Sequence, residues 1–403
     1  MIIVLALLAC AKPDAADTAQ APDTGLTYYA DVAPVIERAC TRCHFDGGVA
    51  PVSFSDPANV VALAPLIAQY TRDGYMPPPA PDPACADYVD SERMWLTEEE
   101  KVLLADWAEA GAPLGDEADA LAPLGSWTTA PFDAELQGVS AYTPDFSRGD
   151  NAYWCWPVEI GNTETAFITG TEAIVDFIPE VHHVVLFRDS SGNELPADGR
   201  GCNGLGESGW EYVTGWGPGA TAMTFPDGMG LRVEPADRWI LQVHYFEGTS
   251  VGPDQTAMGL HLAESVETEV YVAPLGPTGF TIPAGEPDHT AQDRVRWTGP
   301  DFHILAIWPH MHVLGSGFDM YINRDDGSET CVLDQQGWDF HSQATIRLRE
   351  EIVLSDGDTL MVRCHWDNTE ENPAQHTHPP EDVSFGEETE NEMCFAFTYG
   401  YVR

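Results

Sequence analysis

The pattern of hydrophobic and polar residues changes character along the chain near residue 120. Before that point, apolar residues recur with helical spacing in three segments, 29–39, 60–70 and 97–110. Thr97 and Glu100 form a capping box at the start of the third helix, and Gly111 ends it. Pro65 within the second segment predicts a kink or a later start. The first part of the chain is therefore predicted to be a small all-α domain.

Beyond residue 124 the helical spacing gives way to short strand-like runs between Gly, Pro, Asp and Asn residues. Such runs are typical of antiparallel sandwiches and jelly rolls, and Asp325-Asp326-Gly327 predicts a hairpin turn. The runs are 166–168, 181–187, 239–246, 269–272, 302–307, 318–322, 345–348 and 359–362. The sequence thus predicts a multidomain protein, in which the all-α domain precedes two all-β antiparallel sandwich (jelly-roll-like) domains.

Changes in composition divide the chain further. Residues 1–10 are apolar and end in Leu7-Leu8-Ala9-Cys10, which resembles a bacterial lipoprotein signal, although the usual Lys/Arg region is missing. We therefore expect an exported periplasmic or cell-surface lipoprotein of a bacterium, held at the membrane only through a lipid on Cys10. The expected order continues with a flexible tether over 11–26, the all-α domain over 27–118, a linker within 112–130, and sandwiches over 124–265 and 266–403.

The net charge narrows the range of partners. A formal charge of −47 keeps the protein soluble and argues against nucleic acid or anionic lipid as a partner. The acidic residues are dispersed along the chain, so no acidic binding tail is predicted. Neither a phosphate-binding glycine loop nor a G-x-S-x-G elbow follows a predicted strand, which leaves nucleotide binding and serine hydrolase chemistry without support.

Cys40-Thr41-Arg42-Cys43-His44 is the C-x-x-C-H attachment signature of c-type haem. The two thiols would form thioethers to the porphyrin, and His44 would bind the iron. A zinc site is less favoured because no second C-x-x-C accompanies the motif, and thioredoxin-like chemistry is less favoured because of the trailing His. The helical layout resembles small class I cytochromes c, which implies Met76, on the Pro-rich loop 74–79, as second axial ligand. Met94 is the alternative.

Five histidines in strand-like runs are the other candidate for chemistry. His310 and His312 are two residues apart after a buried run, and alternate residues of a strand point to the same face. His182 and His183 are adjacent in a second run, and His244 lies in a third. One such His is more often a hydrogen-bonded core residue, but two pairs and a single are harder to explain in that way. Imidazoles without thiolate pairs suit copper, zinc, iron or nickel.

Four motifs carry a resemblance to a known family. They are H-H-V-V-L-F at 182–187, L-Q-V-H-Y at 241–245, H-M-H-V-L-G at 310–315 and Glu392-Met393-Cys394. Their order resembles that of the copper type II, ascorbate-dependent monooxygenases, which include the peptidylglycine and dopamine hydroxylating enzymes. The resemblance covers residues 124–403 and implies two sandwiches, each holding one copper across a solvent-filled cleft.

The resemblance also implies ligands and a reaction. The electron-transfer copper would be bound by His182, His183 and His244. The copper that meets O2 would be bound by His310, His312 and Met393, whose thioether favours Cu(I). The implied reaction is hydroxylation of a C–H bond with O2 and two electrons from ascorbate or another periplasmic reductant, with the tethered haem as an expected carrier. A copper-binding electron carrier without organic substrate, and a structural protein with core histidines, remain as alternatives.

The sequence departs from the peptide-hydroxylating branch at three positions. In that branch an Arg, an Asn and a Tyr hold the terminal carboxylate of the peptide. Here the corresponding residues are Trp308, Phe395 and Phe397. A pocket without a cation cannot offset the desolvation of a carboxylate. We therefore predict a small apolar or aromatic substrate.

Six cysteines remain after the lipid and haem assignments, and an oxidising compartment could pair them. The resemblance pairs Cys364 with Cys394. Cys155 with Cys202 is a weaker pairing, and Cys85 and Cys331 are left open. Among the other histidines, His376 and His378 are predicted to lie in a loop, with an accessory metal as the minor interpretation. His303 is not a ligand in the family, and the remaining ones are interpreted as ordinary residues, namely His261, His289, His341 and His365.

Overall fold

The computed structural model describes residues 25–403 except 47, 49, 122–130, 148, 178–179 and 248–249. The predicted signal, the lipid site at Cys10 and nearly all of the tether therefore lie outside the described residues, as does the second half of the linker. No helix in the described part of the chain is long and apolar enough to cross a membrane.

Three α-helices form the first module, residues 25–121. A π-helical turn, Tyr28–Val32, leads into α1 (Ala33–Ala39), and α2 (Pro57–Arg72) and α3 (Glu98–Glu109) follow. Short 3-10 turns lie at Ser91–Arg93 and Glu117–Asp119. The predicted capping box is confirmed, because Thr97 and Glu100 each accept a hydrogen bond from the other's backbone N–H.

The prediction for the second helix was wrong at its start. Asp56 caps α2, which begins at Pro57 and continues through Pro65. A proline inside a helix removes one backbone hydrogen bond. Burial of Ala64 and Ile67, on either side of that position, supplies tertiary packing that outweighs this local preference.

In the described residues, ten strands build the first sandwich. They are β1 (Ala134–Gln137), β2 (Asn151–Val158), β3 (Ala166–Ile174), β4 (Val181–Asp189), β5 (Arg200–Gly201), β6 (Trp210–Trp216), β7 (Met223–Thr224), β8 (Met229–Val233), β9 (Arg238–Phe246) and β10 (Ala257–Ala263). One sheet has the order β1-β10-β3-β8, with β7 paired to β3, and the other has the order β5-β2-β9-β4-β6. Side chains from both sheets form one hydrophobic core.

The second sandwich also has ten strands. They are β11 (Thr268–Leu275), β12 (Thr281–Ile282), β13 (His289–Arg296), β14 (Phe302–Met311), β15 (Gly315–Asn323), β16 (Glu329–Gln336), β17 (Ile346–Leu354), β18 (Thr359–Trp366), β19 (Val383–Ser384) and β20 (Cys394–Val402). Its sheets have the orders β11-β20-β14-β17 and β13-β18-β15-β16, and β12 pairs with β19. The predicted turn at 325–327 joins β15 to β16, with Gly327 at φ 85°.

The two sandwiches are continuous with each other. β11 pairs in parallel with β8 and antiparallel with β20, so one nine-stranded sheet runs through both. The core of the first sandwich also includes Trp308, Phe397 and Tyr399 from the second. The histidine-bearing strands β4, β9 and β14 are therefore positioned by one contiguous packed body rather than by independent domains.

Three disulfides are present among the described residues. The predicted pairs Cys364–Cys394 and Cys155–Cys202 both form, the first of them between β18 and β20. Cys85 pairs with Cys331 and so ties the first module covalently to β16. Disulfides of this kind are typical of exported proteins.

The segment around Cys85 is embedded in the second sandwich. Tyr88 is fully buried in the core of that sandwich, and its hydroxyl donates a hydrogen bond to the carbonyl of Val332 at 3.2 Å. Asp90 pairs with Arg347, and Asp87 pairs with Arg349. The first module is therefore docked on the sandwiches as well as being linked to them by the chain.

Candidate metal centres

A β-bulge brings two adjacent histidines to the same face of β4. Successive residues of a regular strand point to opposite faces. The pairing of β4 with β9 shifts between Val181 and His183, so His182 is an extra residue and His183 lies opposite His244. All three imidazoles then converge, and we refer to His182, His183 and His244 as the histidine centre.

The histidine centre has the geometry of a preformed metal site. The Nδ1 atom of His183 lies 3.3 Å from Nδ1 of His182 and 3.3 Å from Nδ1 of His244. Nitrogens about 2.0 Å from one metal are about 3.3 Å apart in tetrahedral geometry and about 3.5 Å apart in a trigonal plane. The ligand atoms of all three residues lie within 4.8 Å of one another.

Hydrogen bonds from Nε2 orient two of these three imidazoles. Nε2 of His182 lies 3.0 Å from the carbonyl oxygen of Phe340, and Nε2 of His244 lies 2.8 Å from Oδ1 of Asn151. Because these oxygens accept, each Nε2 carries the proton and each Nδ1 directs a lone pair inward. The ring of Phe340 stacks on His182 at 4.1 Å, and the ring of Tyr153 stacks on His244 at 4.1 Å. The donor set therefore fits a copper ion.

The second group of predicted ligands lies at the end of β14. His310 is in the strand and His312 follows its last residue, with ring centroids 5.3 Å apart. Nδ1 of His310 donates to Oε1 of Gln343 at 2.7 Å, and Nδ1 of His312 donates to the carbonyl of Asn391 at 3.1 Å. Here Nε2 is the nitrogen left for a metal, the reverse of the histidine centre.

Met393 is brought to the same place by strand pairing. Cys394 lies opposite Met311 at one end of the antiparallel ladder between β14 and β20. Met393 comes just before Cys394 and His312 comes just after Met311, so both residues lie at that end of the ladder. The Met393 side chain is 2% exposed. We refer to His310, His312 and Met393 as the methionine centre. Two imidazoles and a thioether suit a copper ion that must be held as Cu(I).

A buried carboxyl group fixes the backbone of this centre. Glu392 accepts hydrogen bonds from the backbone N–H of His312 at 3.0 Å and of Leu314 at 2.6 Å, and from Nε1 of Trp366 at 2.8 Å. Burial raises the pKa of Glu392 to about 8, although these hydrogen bonds act in the opposite direction. Glu392 thereby joins the segment that carries Met393 to the segment that carries His312.

Burial also governs the protonation of the five imidazoles. It lowers the pKa of His310 to about 4 and that of His312 to about 3. In the histidine centre, burial first and neighbouring imidazoles second hold the pKa of each ring well below its usual range. All five rings are therefore neutral near pH 7, which is the form that binds metal.

The metal-free protein is expected to lose stability on acidification between about pH 6.5 and pH 3. Below about 6.5, the ordinary His pKa, the unfolded chain binds protons that the folded imidazoles do not bind. The stabilisation is complete above that pH and is lost as the pH falls toward the folded pKa values. Urea unfolding of chelator-treated protein at several pH values measures this, and His310→Ala with His312→Ala should flatten the dependence. A pH-independent midpoint would contradict it.

The two centres adjoin each other, which differs from the cleft implied by the resemblance. The ring centroids of His183 and His310 are 5.8 Å apart. Gln343 joins the centres by hydrogen bonds, because its Nε2 donates to the Phe340 carbonyl at 2.9 Å while its Oε1 accepts from His310. The same carbonyl accepts from His182. The two centres therefore lie in contact rather than on opposite sides of a cleft.

An aromatic pocket of about 420 Å³ opens onto both centres. His183 and His310 line it together with the three residues that replace the carboxylate-binding set, Trp308, Phe395 and Phe397. Trp308 pairs with Phe397 across β14 and β20. Among the described residues that line the pocket, none is Lys or Arg, and one, Glu211, is acidic.

The haem motif lies at the end of α1. Cys40 and Cys43 are free thiols, and burial raises the pKa of Cys40 to about 12, which disfavours a reactive thiolate. Nδ1 of His44 donates to the carbonyl of Val52 at 2.8 Å, which leaves Nε2 free to bind a metal. The His44 ring stacks on Phe54 at 4.3 Å. A c-type haem, if attached, would bind through these two thiols and this nitrogen.

The two candidates for the second axial ligand lie in different surroundings. Met76 is 37% exposed on its loop. Met94 is partly buried, packs against the core of the second sandwich and shares two small cavities with Arg42. Large apolar side chains elsewhere in the first module are also exposed, including Phe45, Leu66, Tyr70 and Tyr75. This is apolar surface that a porphyrin could cover.

The remaining histidines belong to neither the histidine centre nor the methionine centre. His303 pairs with Glu351 at 2.8 Å, and His378 pairs with Glu370 at 3.0 Å. Neither His376 nor His378 belongs to a cluster of three metal-ligating groups among the described residues. His341, interpreted as ordinary, lies with its ring centroid 5.8 Å from that of His182.

Sequence reasoning missed the residues that orient the ligands. Phe340 and Gln343 lie in a loop without periodic pattern, and Asn151 is the first residue of β2. Glu392 was noticed only as part of the Glu-Met-Cys motif. The position of Glu392 next to the proposed ligand Met393 was the one signal in the sequence, because the other contacts depend on long-range packing.

Each of the two joined sandwiches carries one of the two candidate metal centres. Family models agree: the N-terminal domain of the copper type II ascorbate-dependent monooxygenases matches residues 140–251, and the C-terminal domain matches residues 290–403. These ranges together span more than half of the chain. The chain belongs to the copper type II ascorbate-dependent monooxygenase family.

Similar proteins with curated descriptions are animal members of this group. The chain is 25% identical over 308 residues to DBH-like monooxygenase protein 1 of Mus musculus, covering 68% of this chain and 47% of that protein. It is 25% identical over 245 residues to DBH-like monooxygenase protein 2 of Mus musculus, covering 55% and 38%. It is 24% identical over 272 residues to dopamine beta-hydroxylase of Rattus norvegicus, covering 60% and 43%. The chain thus spans less than half the length of each relative.

Proposed function

We propose that this protein is a copper-dependent monooxygenase that hydroxylates a C–H bond of a small apolar or aromatic substrate. The observation that carries the proposal is the aromatic pocket, which His183 of one centre and His310 of the other line together. A substrate in this pocket lies against both centres at once. The copper type II family, to which the chain belongs, supplies the reaction class.

The two sets of proposed ligands have different roles. His182, His183 and His244 would hold one copper through their Nδ1 atoms, and imidazoles serve both oxidation states. His310, His312 and Met393 would hold the other, and the thioether would favour the reduced form. Copper bound at these centres supplies one-electron redox chemistry and O2 activation. One oxygen atom enters the substrate and the other leaves as water, with two electrons and two protons consumed.

The pocket also determines substrate class. Trp308, Phe397 and Tyr212 place aromatic faces in contact, with centroid distances of 5.3 Å from Phe397 to Trp308 and 4.1 Å from Phe397 to Tyr212. Trp308 is held by a hydrogen bond from its Nε1 to the carbonyl of Gln343 at 3.1 Å. Aromatic walls stabilise an apolar or aromatic guest by burial and ring contacts.

Glycine-extended peptides are expected to be poor substrates. Their carboxylate would lose hydration in a pocket where Trp308, Phe395 and Phe397 offer no cation. The measurement is the hydroxylation rate of a glycine-extended peptide beside the same peptide with an uncharged terminal amide, and beside neutral aromatic compounds. Equal turnover of the peptide and the best neutral compound would reject this description of the pocket.

Substrate-dependent O2 uptake tests the proposed activity. Copper-loaded, reduced protein is screened with neutral aromatic and aliphatic compounds, and product oxygen is traced from labelled O2. A copper-binding electron carrier, the alternative, would bind copper and exchange electrons without consuming O2 in proportion to any substrate. A protein with core histidines only would bind no copper at all.

The first module is proposed to be a c-type cytochrome domain over residues 27–118. Cys40 and Cys43 would form the thioethers, His44 the first axial bond through its free Nε2, and Met76 the second. The bound haem would supply a one-electron carrier whose potential His/Met ligation raises. Ascorbate or another periplasmic reductant remains the proposed source of electrons, and a lipid on Cys10 the proposed membrane anchor.

A further inference from the structure

We propose that copper is loaded into the histidine centre through His341, which takes the ion from a cavity distinct from the aromatic pocket and passes it to His182. We call this cavity the entry cavity. The inference rests on the proposed copper in the histidine centre. It adds a transient metal-binding position and a loading route, which neither the family nor the proposed activity specifies.

The histidine centre is closed off from solvent. All three of its imidazoles are buried, and the rings of Phe340 and Tyr153 stack on two of them. A hydrated copper ion must exchange its waters for imidazole nitrogens before it can occupy such a centre. A donor that is exposed to solvent and also touches a buried ligand would allow this exchange to occur in steps.

His341 is such a donor. It belongs to a cluster of four rings in which every ring contacts the other three, namely His182, Phe246, Phe340 and His341. His182 and Phe340 are buried, Phe246 is half-buried and His341 is exposed. Because the other two rings carry no donor atom, His341 is the member of the cluster that connects solvent to the buried ligand.

The separation of the two imidazoles suits a metal ion held between them. The ring centroid of His341 lies 5.8 Å from that of His182. The rings of His244 and His183, which are proposed to share one copper with His182, lie at 5.1 Å and 5.5 Å from it. Within the described part of the chain, the ring nitrogens of His341 have no hydrogen-bond or ion-pair partner. They are therefore available to a metal.

The entry cavity has the donor groups of a cation-binding site. It has a volume of about 460 Å³, and its lining includes three carboxylates and two imidazoles, from Asp150, Asp339, Glu390, His341 and His376. Among the described residues that line it, none is Lys or Arg. Carboxylates in a cleft raise the local concentration of cations, and imidazole and carboxylate groups both bind copper.

The aromatic pocket is a less suitable entrance. It shares no lining residue with the entry cavity. Its lining contains one carboxylate, Glu211, and its two imidazoles, His183 and His310, are themselves proposed ligands. Aromatic walls do not replace the water ligands of a hydrated ion. The two cavities therefore separate metal entry from substrate binding.

The proposed passage is a ligand exchange without a redox step. The bond from copper to the His341 nitrogen breaks as bonds to the Nδ1 atoms of His182, His183 and His244 form, and the remaining waters of the ion return to solvent. The Nδ1 atoms of His182 and His244 already direct lone pairs inward, because Nε2 of each ring carries the proton. Copper keeps its oxidation state throughout.

The test follows copper uptake by the full chain after its copper has been removed with a chelator. Cupric ion is mixed with the protein, samples are frozen after set times, and electron paramagnetic resonance measures the copper bound by imidazoles. The phase that is absent in His244→Ala belongs to the histidine centre. The rate of release is measured separately, by mixing loaded protein with excess chelator.

His341→Phe keeps a ring against Phe340 and Phe246 and removes both ring nitrogens. It should slow uptake into the histidine centre several-fold and slow release by the same factor. A residue that acts only during passage changes both rates and leaves the equilibrium dissociation constant and the final spectrum as in the wild type. A residue needed for the loaded centre itself would instead weaken binding.

Two further variants complete the design. His378→Phe is the matched control, since His378 is also exposed but pairs with Glu370 and does not line the entry cavity; it should leave both rates unchanged. Asp150→Asn combined with Glu390→Gln removes two charges from the cavity at nearly constant shape. Uptake should then be slower at low ionic strength and should depend less on salt.

Uptake at the wild-type rate in His341→Phe would overturn the entry route while the monooxygenase proposal stood. Weaker equilibrium binding with faster release would also overturn it, because His341 would then support the loaded centre. A wild-type histidine centre that takes up no copper would overturn both the route and the proposed activity. The two failures are therefore distinguishable.

Discussion

Met393→Ile is expected to abolish hydroxylation while copper remains in the histidine centre. Met393 is buried next to Glu392, whose carboxyl group holds the backbone of His312. Isoleucine is similar in volume, so the packing cost should be on the order of 1 kcal/mol. The variant removes the soft thioether and little else, and the methionine centre should lose its preference for Cu(I).

X-ray absorption of reduced protein measures this directly. The wild type should show a copper–sulfur contribution, and Met393→Ile should lack it while retaining the copper–nitrogen signal of His182, His183 and His244. Met320→Ile is the matched control, because Met320 is a fully buried methionine in the core of the same sandwich. It should keep both the sulfur signal and the activity. Retained hydroxylation in Met393→Ile, or an unchanged sulfur signal, would reject Met393 as a ligand.

Replacement of Cys40 and Cys43 by alanine is expected to remove covalent haem completely. Protein matured in a bacterial periplasm should carry one haem, seen as added mass and as a low-spin absorption spectrum. The double variant should show neither. It should still bind copper and turn over with a chemical reductant, because the sandwiches form their own continuous core and sheet. A wild-type mass without haem, with both thiols free, would disprove the cytochrome assignment.

The axial ligand is tested separately. Met76→Ala should convert the low-spin spectrum to high spin or shift it, because the second axial bond is lost while the thioethers and His44 remain. Met94→Ala is the comparison, since Met94 packs against the second sandwich and shares cavities with Arg42. A spectral change in Met94→Ala alone would transfer the ligand assignment to Met94 and leave the haem in place.

The sequence pattern correctly predicted those structural features that can be recognised from a few neighbouring residues. The capping box at Thr97 and Glu100 and the turn at Gly327 depend on contacts within a few residues, and the runs that became β4, β9 and β14 can be recognised from their local apolar pattern. It failed at Pro65, where packing of neighbouring residues overrides a local preference. The candidate ligands were also found locally, because imidazole and thioether chemistry can be recognised from residue type and motif order.

The chain by itself thus determined the kinds of domain, the side chains proposed as ligands for each metal and the apolar residues Trp308, Phe395 and Phe397. Only the tertiary structure decided how these meet. A bulge turns His182 to the side of His183, Gln343 joins the centres, and Cys85–Cys331 docks the first module. Each of these depends on residues far apart in the chain, whose proximity follows from the packing free energy of the whole fold rather than from any local pattern.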